Sequence, residues 1–288
     1  MKTDTLSTRQ VAQLLGVGEA SVKRWADAGE IDCFRTPGGH RKFRLRDVQA
    51  FVQKRDFATT APAPARPGKG LSDARAFAET ALRGDVDGLV SQLTMLRLGG
   101  PDLALLFDAV VAPALHEVGA AWKDCKLSIA EEHVASQAVI EAIARVQPLA
   151  EPPGEAVRAD RGTAVVASVA DERHDIGGRM AACLLRARGF EVLAPLAQTP
   201  ARDLADLILR TRSVFTVLSC TIGPDPAAVA SQIQLSAQAA RQAGGRLVVG
   251  GQGLGSIALP EEVTRLGSMQ ELVELSESVG RRRAARTA

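Results

Sequence analysis

The chain has 288 residues, enough for two or three domains at roughly 100–200 residues each. Its 46% hydrophobic and 24% charged content excludes a largely disordered chain, a fibre and a disulfide miniprotein. The formal charge of +2 conceals a split: residues 1–57 hold 11 Lys/Arg against 7 Asp/Glu and the rest holds 24 against 26, so a basic module precedes a mildly acidic body.

No apolar run reaches the roughly 18 residues of a spanning helix, and the first ten residues lack the pattern of a secretory leader. A cytoplasmic protein with no membrane partner is expected. Cys33, Cys125, Cys183 and Cys220 lie far apart with no CxxC, which reads as reduced thiols. With two Trp and no Tyr, any visible absorption or radical chemistry would need a cofactor.

In chain order, Thr8 to Val17 reads as a helix ending in a Gly turn, and Ser21 opens a second helix. That second helix would offer Ser21, Lys23 and Arg24 to the major groove or its phosphates, with Val22 and Trp25 packed inward. The run Thr36-Pro37-Gly38-Gly39-His40-Arg41-Lys42-Phe43 makes a tight hairpin whose tip carries Arg41 and Lys42, and Leu45 to Val52 forms a closing helix. His40 in this wing suits a phosphate contact or turn stabilisation. The order helix, turn, helix, basic Gly wing resembles the winged helix-turn-helix of the MerR family. It implies binding to double-stranded operator DNA, with affinity carried mostly by phosphate contacts. One module covers half a site, so tight binding needs a dimer or a higher assembly.

Residues 58–70, rich in Ala and Pro, read as a semi-extended linker. Residues 71–150 read as four helices in an antiparallel bundle: Ser72 (as cap) to about Arg83, Asp85 to Leu98, Pro101 to Lys123, and one starting at Ser128. Ser128 and Glu131 form a capping box, and Ile129, Val134, Ala138, Val139 and Ile143 share an apolar face. A Pro-rich connector spans Gln147 to Gly162. Residues 160–283 then alternate strands (163–170, 191–195, 214–219, 246–250, 263–266) with helices (175–188, 201–211, 225–243 and from Ser268). That pattern means a five-stranded, flavodoxin-like parallel sheet covered on both faces. Its ligand loops begin at Asp171, Cys220 and Gly251, beyond the strand C-termini. The fold class is therefore multidomain α and α/β. Arg281, Arg282, Arg283 and Arg286 read as a solvated basic tail.

The loop Asp171-Glu172-Arg173-His174-Asp175-Ile176-Gly177 follows the first strand of that sheet. Glu172 can hold the His174 ring N–H, and Gly177 lets a bulky group approach. Ser219 lies 42 residues past Gly177, and Gly250-Gly251 ends the fourth strand. Together these resemble the cobalamin-binding fold of methionine synthase and the corrinoid mutases, with Glu172 where that signature has Asp. The resemblance implies His174 as the lower axial cobalt ligand. It also implies a slot for the displaced nucleotide tail lined by Ser219, Thr221, Gly250 and Gly251.

In the helical segment Trp122 precedes Glu132-His133 by nine intervening residues. This resembles the cap of the cobalamin-dependent photoreceptor regulators of the CarH type, and implies that Trp122, Glu132 and His133 cover the upper cobalamin face. Over nearly the whole chain the resemblance implies a non-enzymatic, light-responsive repressor. It would use adenosylcobalamin, bind DNA as a dark tetramer or dimer, and release it on illumination. Methylcobalamin, another corrinoid or haem are the alternative cofactors. A light-independent corrinoid or haem sensor is the alternative function, and a corrinoid methyl carrier the enzyme-class alternative. One departure stands out. Lys123 follows Trp122 where family members with a bis-histidine photoproduct have His, so either water, His116 or His133 would serve as the light-state ligand or the photochemistry differs.

Overall fold

The computed structural model describes residues 5–15, 17–36, 38–44, 47–48, 50–51, 70–98, 100–147, 161–196, 198–222, 225–255 and 257–284. The linker expected at 58–70 lies outside them except for Gly70, as do most of the Pro-rich connector, Gly16, Pro37 and Arg286. The chain divides into two compact units, Met1–Ala138 and Val139–Ala288.

The first unit opens with β1 (Thr5–Ser7), α1 (Thr8–Leu15), α2 (Glu19–Asp27), β2 (Phe34–Arg35) and β3 (Arg41–Arg44). The strands form an antiparallel sheet in the order β1-β3-β2. Strand β1 was not anticipated, since three residues pairing across the chain with β3 leave no local pattern. Ser7 ends β1 and caps α1: its N–H donates to Gln10 Oε1 at 2.8 Å, and Gln10 N–H returns to Ser7 Oγ at 3.3 Å. Val11, Leu15, Val22, Trp25, Ile31, Phe43, Val48 and Phe51 share one core. Burying Val22 and Trp25 leaves Lys23 and Arg24 on the exposed side of α2.

Four helices follow: α3 (Gly70–Leu82), α4 (Val86–Leu98), α5 (Leu103–Lys123) and α6 (Ile129–Val146). Helix α3 starts at Gly70, which places Ser72 inside the helix and not at its cap. Asp85 accepts from Gly88 N–H at 2.9 Å and Asp102 from Leu105 N–H at 2.8 Å, so carboxylates start α4 and α5. Helix α5 widens to a π-helical turn at Phe107–Val111, just before Pro113. Proline has no N–H to give the regular i→i−4 bond, and the backbone bonds instead Ala112 N–H to Phe107 O. Helix α5 is long and apolar enough on average to resemble a spanning helix, but Asp108 and Glu117 interrupt its apolar run, as the sequence expectation has it. Here Leu103, Leu106, Phe107, Val110, Val111 and Val118 are buried as bundle core. Ser128 and Glu131 cap α6 reciprocally, at 2.8 and 3.3 Å. Of the apolar face expected on α6, Ala138, Val139 and Ile143 are buried, but Ile129 and Val134 are exposed. Helical spacing alone does not say which end of a helix has a neighbour.

In the second unit β4 (Thr163–Ser168), β5 (Glu191–Leu196), β6 (Phe215–Ser219), β7 (Arg246–Gly250) and β8 (Thr264–Leu266) form a parallel sheet ordered β5-β4-β6-β7-β8. This is the flavodoxin-like order, with the switch point between β4 and β6. Helices α7 (Ile176–Ala187) and α10 (Met269–Ala284) cover one face through Ala181, Leu185 and Leu272. Helices α8 (Ala201–Thr211) and α9 (Pro226–Gln242) cover the other through Leu204, Ile208, Val229 and Ile233. Consecutive residues therefore bury on opposite faces, which is why β4 and β7 read as unbroken apolar runs.

Candidate functional site

The C-terminal edge of the sheet is level. Ser168, Ser219 and Gly250 end β4, β6 and β7 in register, on the face covered by α7. Strand β4 stops at Ser168, two residues before the expected end. Past it, Ala170 N–H leaves the sheet for Gln232 Oε1 on α9, at 2.5 Å. Asp171 has φ 61°, and Glu172 N–H closes the turn on Val169 O at 3.2 Å.

That turn drives Glu172 inward, where it is 1% exposed. Its carboxylate accepts four hydrogen bonds. Oε1 takes the His174 backbone N–H at 2.9 Å and His174 Nδ1 at 2.6 Å. Oε2 takes the N–H groups of Thr221 and Ile222 at 2.8 and 2.7 Å. Burial pushes this carboxyl up, but the bonds from Ile222, His174 and Thr221 outweigh it and hold it below the ordinary value of 4.5. A carboxylate can only accept, so His174 Nδ1 carries the ring proton. The Nε2 lone pair is then left for a ligand. The His174 side chain is 49% exposed.

Small residues flank the imidazole. A Cβ on Gly177 would stand 3.1 Å from Ser219 Oγ, and one on Gly178 would stand 3.0 Å from Leu196 Cδ2. Gly251 has φ 113°, and its Cβ would fall 2.0 Å from Cys220 O, so no side chain fits where the β6 and β7 loops cross. Thr221 is exposed and Gly250 half-buried. Ser168 Oγ is fully buried with no hydrogen-bond partner among the described residues. Burial pushes the Cys220 thiol up to about 11, helped by the Glu172 charge, and Cys183 up to about 12 by burial, so both stay protonated.

This arrangement can hold one metal coordination site. Among the described residues no three of His, Cys, Asp and Glu converge. A group that brings its own equatorial ligands, such as a tetrapyrrole, asks of the protein only a single donor of this kind. Small strand ends and the buried Ser168 hydroxyl, without a hydrogen-bond partner among the described residues, suit a polar appendage on such a group.

Sequence reasoning missed Ser168, Gly178, Ile222 and Gln232. Ser168 had a signal, a polar residue ending an apolar strand. Gln232 had none, because its partner is 62 residues away.

In the first unit, Trp122 ends α5 with 45% of its surface exposed. Glu132 Oε1 accepts from Ser136 Oγ at 2.6 Å, and its Oε2 lies 3.7 Å from His133 Nε2, itself largely exposed. Lys123 and His116 are exposed. On α2, Ser21 is half-buried while Lys23 and Arg24 are exposed. The wing turns at Gly38–Gly39, with Gly39 N–H on Thr36 O at 2.8 Å. His40 is exposed beside this turn and Lys42 is half-buried. Arg41 is not at the tip: it begins β3, and its guanidinium pairs with Asp27 at the end of α2.

Two family models match the chain: a helix-turn-helix domain over residues 5–56 and a B12 binding domain over residues 74–147. The monomethylamine corrinoid protein of Methanosarcina barkeri shares the fold. Its TM-score is 0.57 at 14% identity, over 72% of this chain and 98% of that one. The transcriptional repressor DcmR of Methylorubrum extorquens is 39% identical over 66 residues, 22% of this chain and 25% of that protein. The HTH-type transcriptional repressor CarH of Myxococcus xanthus is 31% identical over 236 residues, 72% of this chain and 76% of that protein. With a helix-turn-helix domain at 5–56, a B12 binding domain at 74–147 and 31% identity over 76% of CarH, the chain belongs to the family of the CarH transcriptional repressor.

Proposed function

We propose that this protein is a light-responsive transcriptional repressor, cytoplasmic and not an enzyme, that uses adenosylcobalamin as its chromophore. Residues 1–57 bind operator DNA and 58–70 link them to the sensor. Residues 71–150 cover the upper face of the cofactor and 160–283 hold its lower face. Bound adenosylcobalamin would supply a photolabile cobalt–carbon bond. His174 Nε2 serves as the lower axial ligand, with Glu172 fixing the tautomer that leaves Nε2 free. Gly177, Ser219, Thr221, Gly250 and Gly251 leave room for the nucleotide tail. Trp122 shields the upper group, with Glu132 and His133 beside it. The observation that carries this reading is the half-exposed His174 ring, held by the buried Glu172 at 2.6 Å on the ligand edge of a flavodoxin-like sheet.

On DNA, Ser21, Lys23 and Arg24 of α2 face the groove, while His40 and Lys42 place the wing on phosphates and Arg41 braces the wing against α2 through Asp27. Each half-site contact is weak alone, so the dark protein binds as a dimer or tetramer and illumination separates the copies. The cofactor can drive this only by binding one assembly state better than the other.

The test is size-exclusion and operator binding of the adenosylcobalamin-loaded protein, dark and under green light. A larger, DNA-binding species that shrinks and releases DNA on illumination supports the reading. Identical elution and DNA affinity in both conditions refutes the photoswitch and leaves a light-independent corrinoid sensor. A His174→Ala variant that takes up cobalamin with the parent's visible spectrum refutes the axial ligand.

A further inference from the structure

Ile222 stands out in the second unit. It is an isoleucine 59% exposed in the loop after β6, at the edge where ligands of such sheets bind. Its main chain is nonetheless held firmly. The N–H groups of Thr221 and Ile222 both end on Glu172 Oε2, at 2.8 and 2.7 Å, while Oε1 of the same carboxylate holds His174 Nδ1 at 2.6 Å. Two hydrogen bonds of 2.6 and 2.7 Å and the ~2.2 Å between the oxygens of one carboxylate limit the gap between Ile222 N and the imidazole to about 7.5 Å. An exposed isolated isoleucine is ordinary on a mobile surface loop. One whose backbone is tied to the same buried carboxylate as the candidate metal ligand is a fixed apolar surface beside that ligand.

From this geometry we infer that Ile222 is a specificity-determining contact for the ring of the bound corrinoid, forming an apolar shelf beneath the macrocycle beside His174. The inference rests on the proposal that His174 ligates a corrinoid. A macrocycle held on Nε2 would be wide enough to reach across the gap, where the Ile222 side chain would offer it an apolar contact. Glu172 then does two things at once: it orients the axial ligand and sets the height of the shelf. Substitution at 222 keeps the backbone N–H, so the carboxylate clamp survives and only the side-chain contact changes.

The experiment uses the full chain and two probes: hydroxocobalamin, and cobinamide, which lacks the nucleotide tail. Each is titrated by visible absorption against parent, Ile222→Ser, Ile222→Leu and His174→Ala. Ile222→Ser is expected to weaken both probes by about tenfold, equal to about 1.4 kcal/mol, while the spectrum of bound hydroxocobalamin still shows imidazole ligation. Ile222→Leu is expected to titrate like the parent. The inference is overturned if Ile222→Ser binds both probes as tightly as the parent, or loses affinity for hydroxocobalamin alone, which would place position 222 on the tail. If His174→Ala loses the imidazole spectrum while Ile222→Ser behaves as parent, the shelf fails and the axial-ligand proposal stands. If His174→Ala keeps that spectrum, both fail.

Discussion

The Glu172 clamp can be tested by a single atom exchange, Glu172→Gln. The carboxylate offers two acceptor oxygens to four donors, and glutamine offers one acceptor and two new donors. If the amide oxygen faces Thr221 and Ile222, its NH2 meets the His174 backbone N–H and the ring. His174 Nδ1 must then accept instead of donate, which moves the ring proton to Nε2 and blocks the atom that would bind metal. If the oxygen faces His174 instead, the N–H groups of Thr221 and Ile222 are orphaned. One donor in the first case and two in the second lose their partner, at about 1–3 kcal/mol each where water cannot reach. Half-exposed His174 can recover part of this from solvent, so a net loss of about 3 kcal/mol is expected. In a unit of about 150 residues that lowers the melting temperature by roughly 6–12 °C. Thermal unfolding of the cofactor-free variant measures the first effect, and titration with hydroxocobalamin measures the second. A variant that melts with the parent and binds cobalamin with the parent's spectrum would show that the four-donor clamp does not position His174.

Further outcomes follow from the same contacts. Glu172 is held below the ordinary carboxyl value when folded, so its contribution is complete above about pH 4.5 and is lost as pH falls through the lower folded value. Cofactor-free parent should therefore lose urea resistance on acidification over that range, and Glu172→Gln should lose less. Gly251→Ala adds a methyl 2.0 Å from the Cys220 carbonyl at a φ of 113°, so a loss above about 3 kcal/mol is expected in urea unfolding, and a parent-like midpoint would contradict the loop crossing. Arg24→Ala should weaken binding to every DNA sequence alike and reduce the slope of log affinity against log salt by about 1. A loss confined to one base position would instead make Arg24 a base reader.

What could be read from the sequence divides by the range of the interaction. The strands of the second unit were legible because VVASV, FTVLS and RLVVG are continuous apolar runs that a two-sided sheet requires, and β7 matches to the residue. Helix α8 matches as well, since Pro200 and Arg212 bracket it locally. The Ser128–Glu131 box was legible because both partners lie within one turn. What was missed depends on distant partners. Strand β1 needs β3, Gln232 needs Ala170, and the exposure of Ile129 and Val134 depends on what packs against the start of α6. Arg41 looked like a free wing cation because Asp27, which claims it, lies 14 residues earlier. Glu172 shows the boundary most clearly. Its short-range relation to His174 was readable at two residues' spacing. Its hold on Thr221 and Ile222, 49 and 50 residues away, was not. Yet that long-range half explains why the carboxylate is buried at all. A partner for one imidazole can sit in solvent, whereas a carboxylate that joins two loops must lie between them. Four donors there offset the cost of burying its charge. The ligand loop and the loop after β6 are therefore one mechanical unit, and a displacement of the Thr221–Ile222 backbone is felt at His174 through two hydrogen bonds.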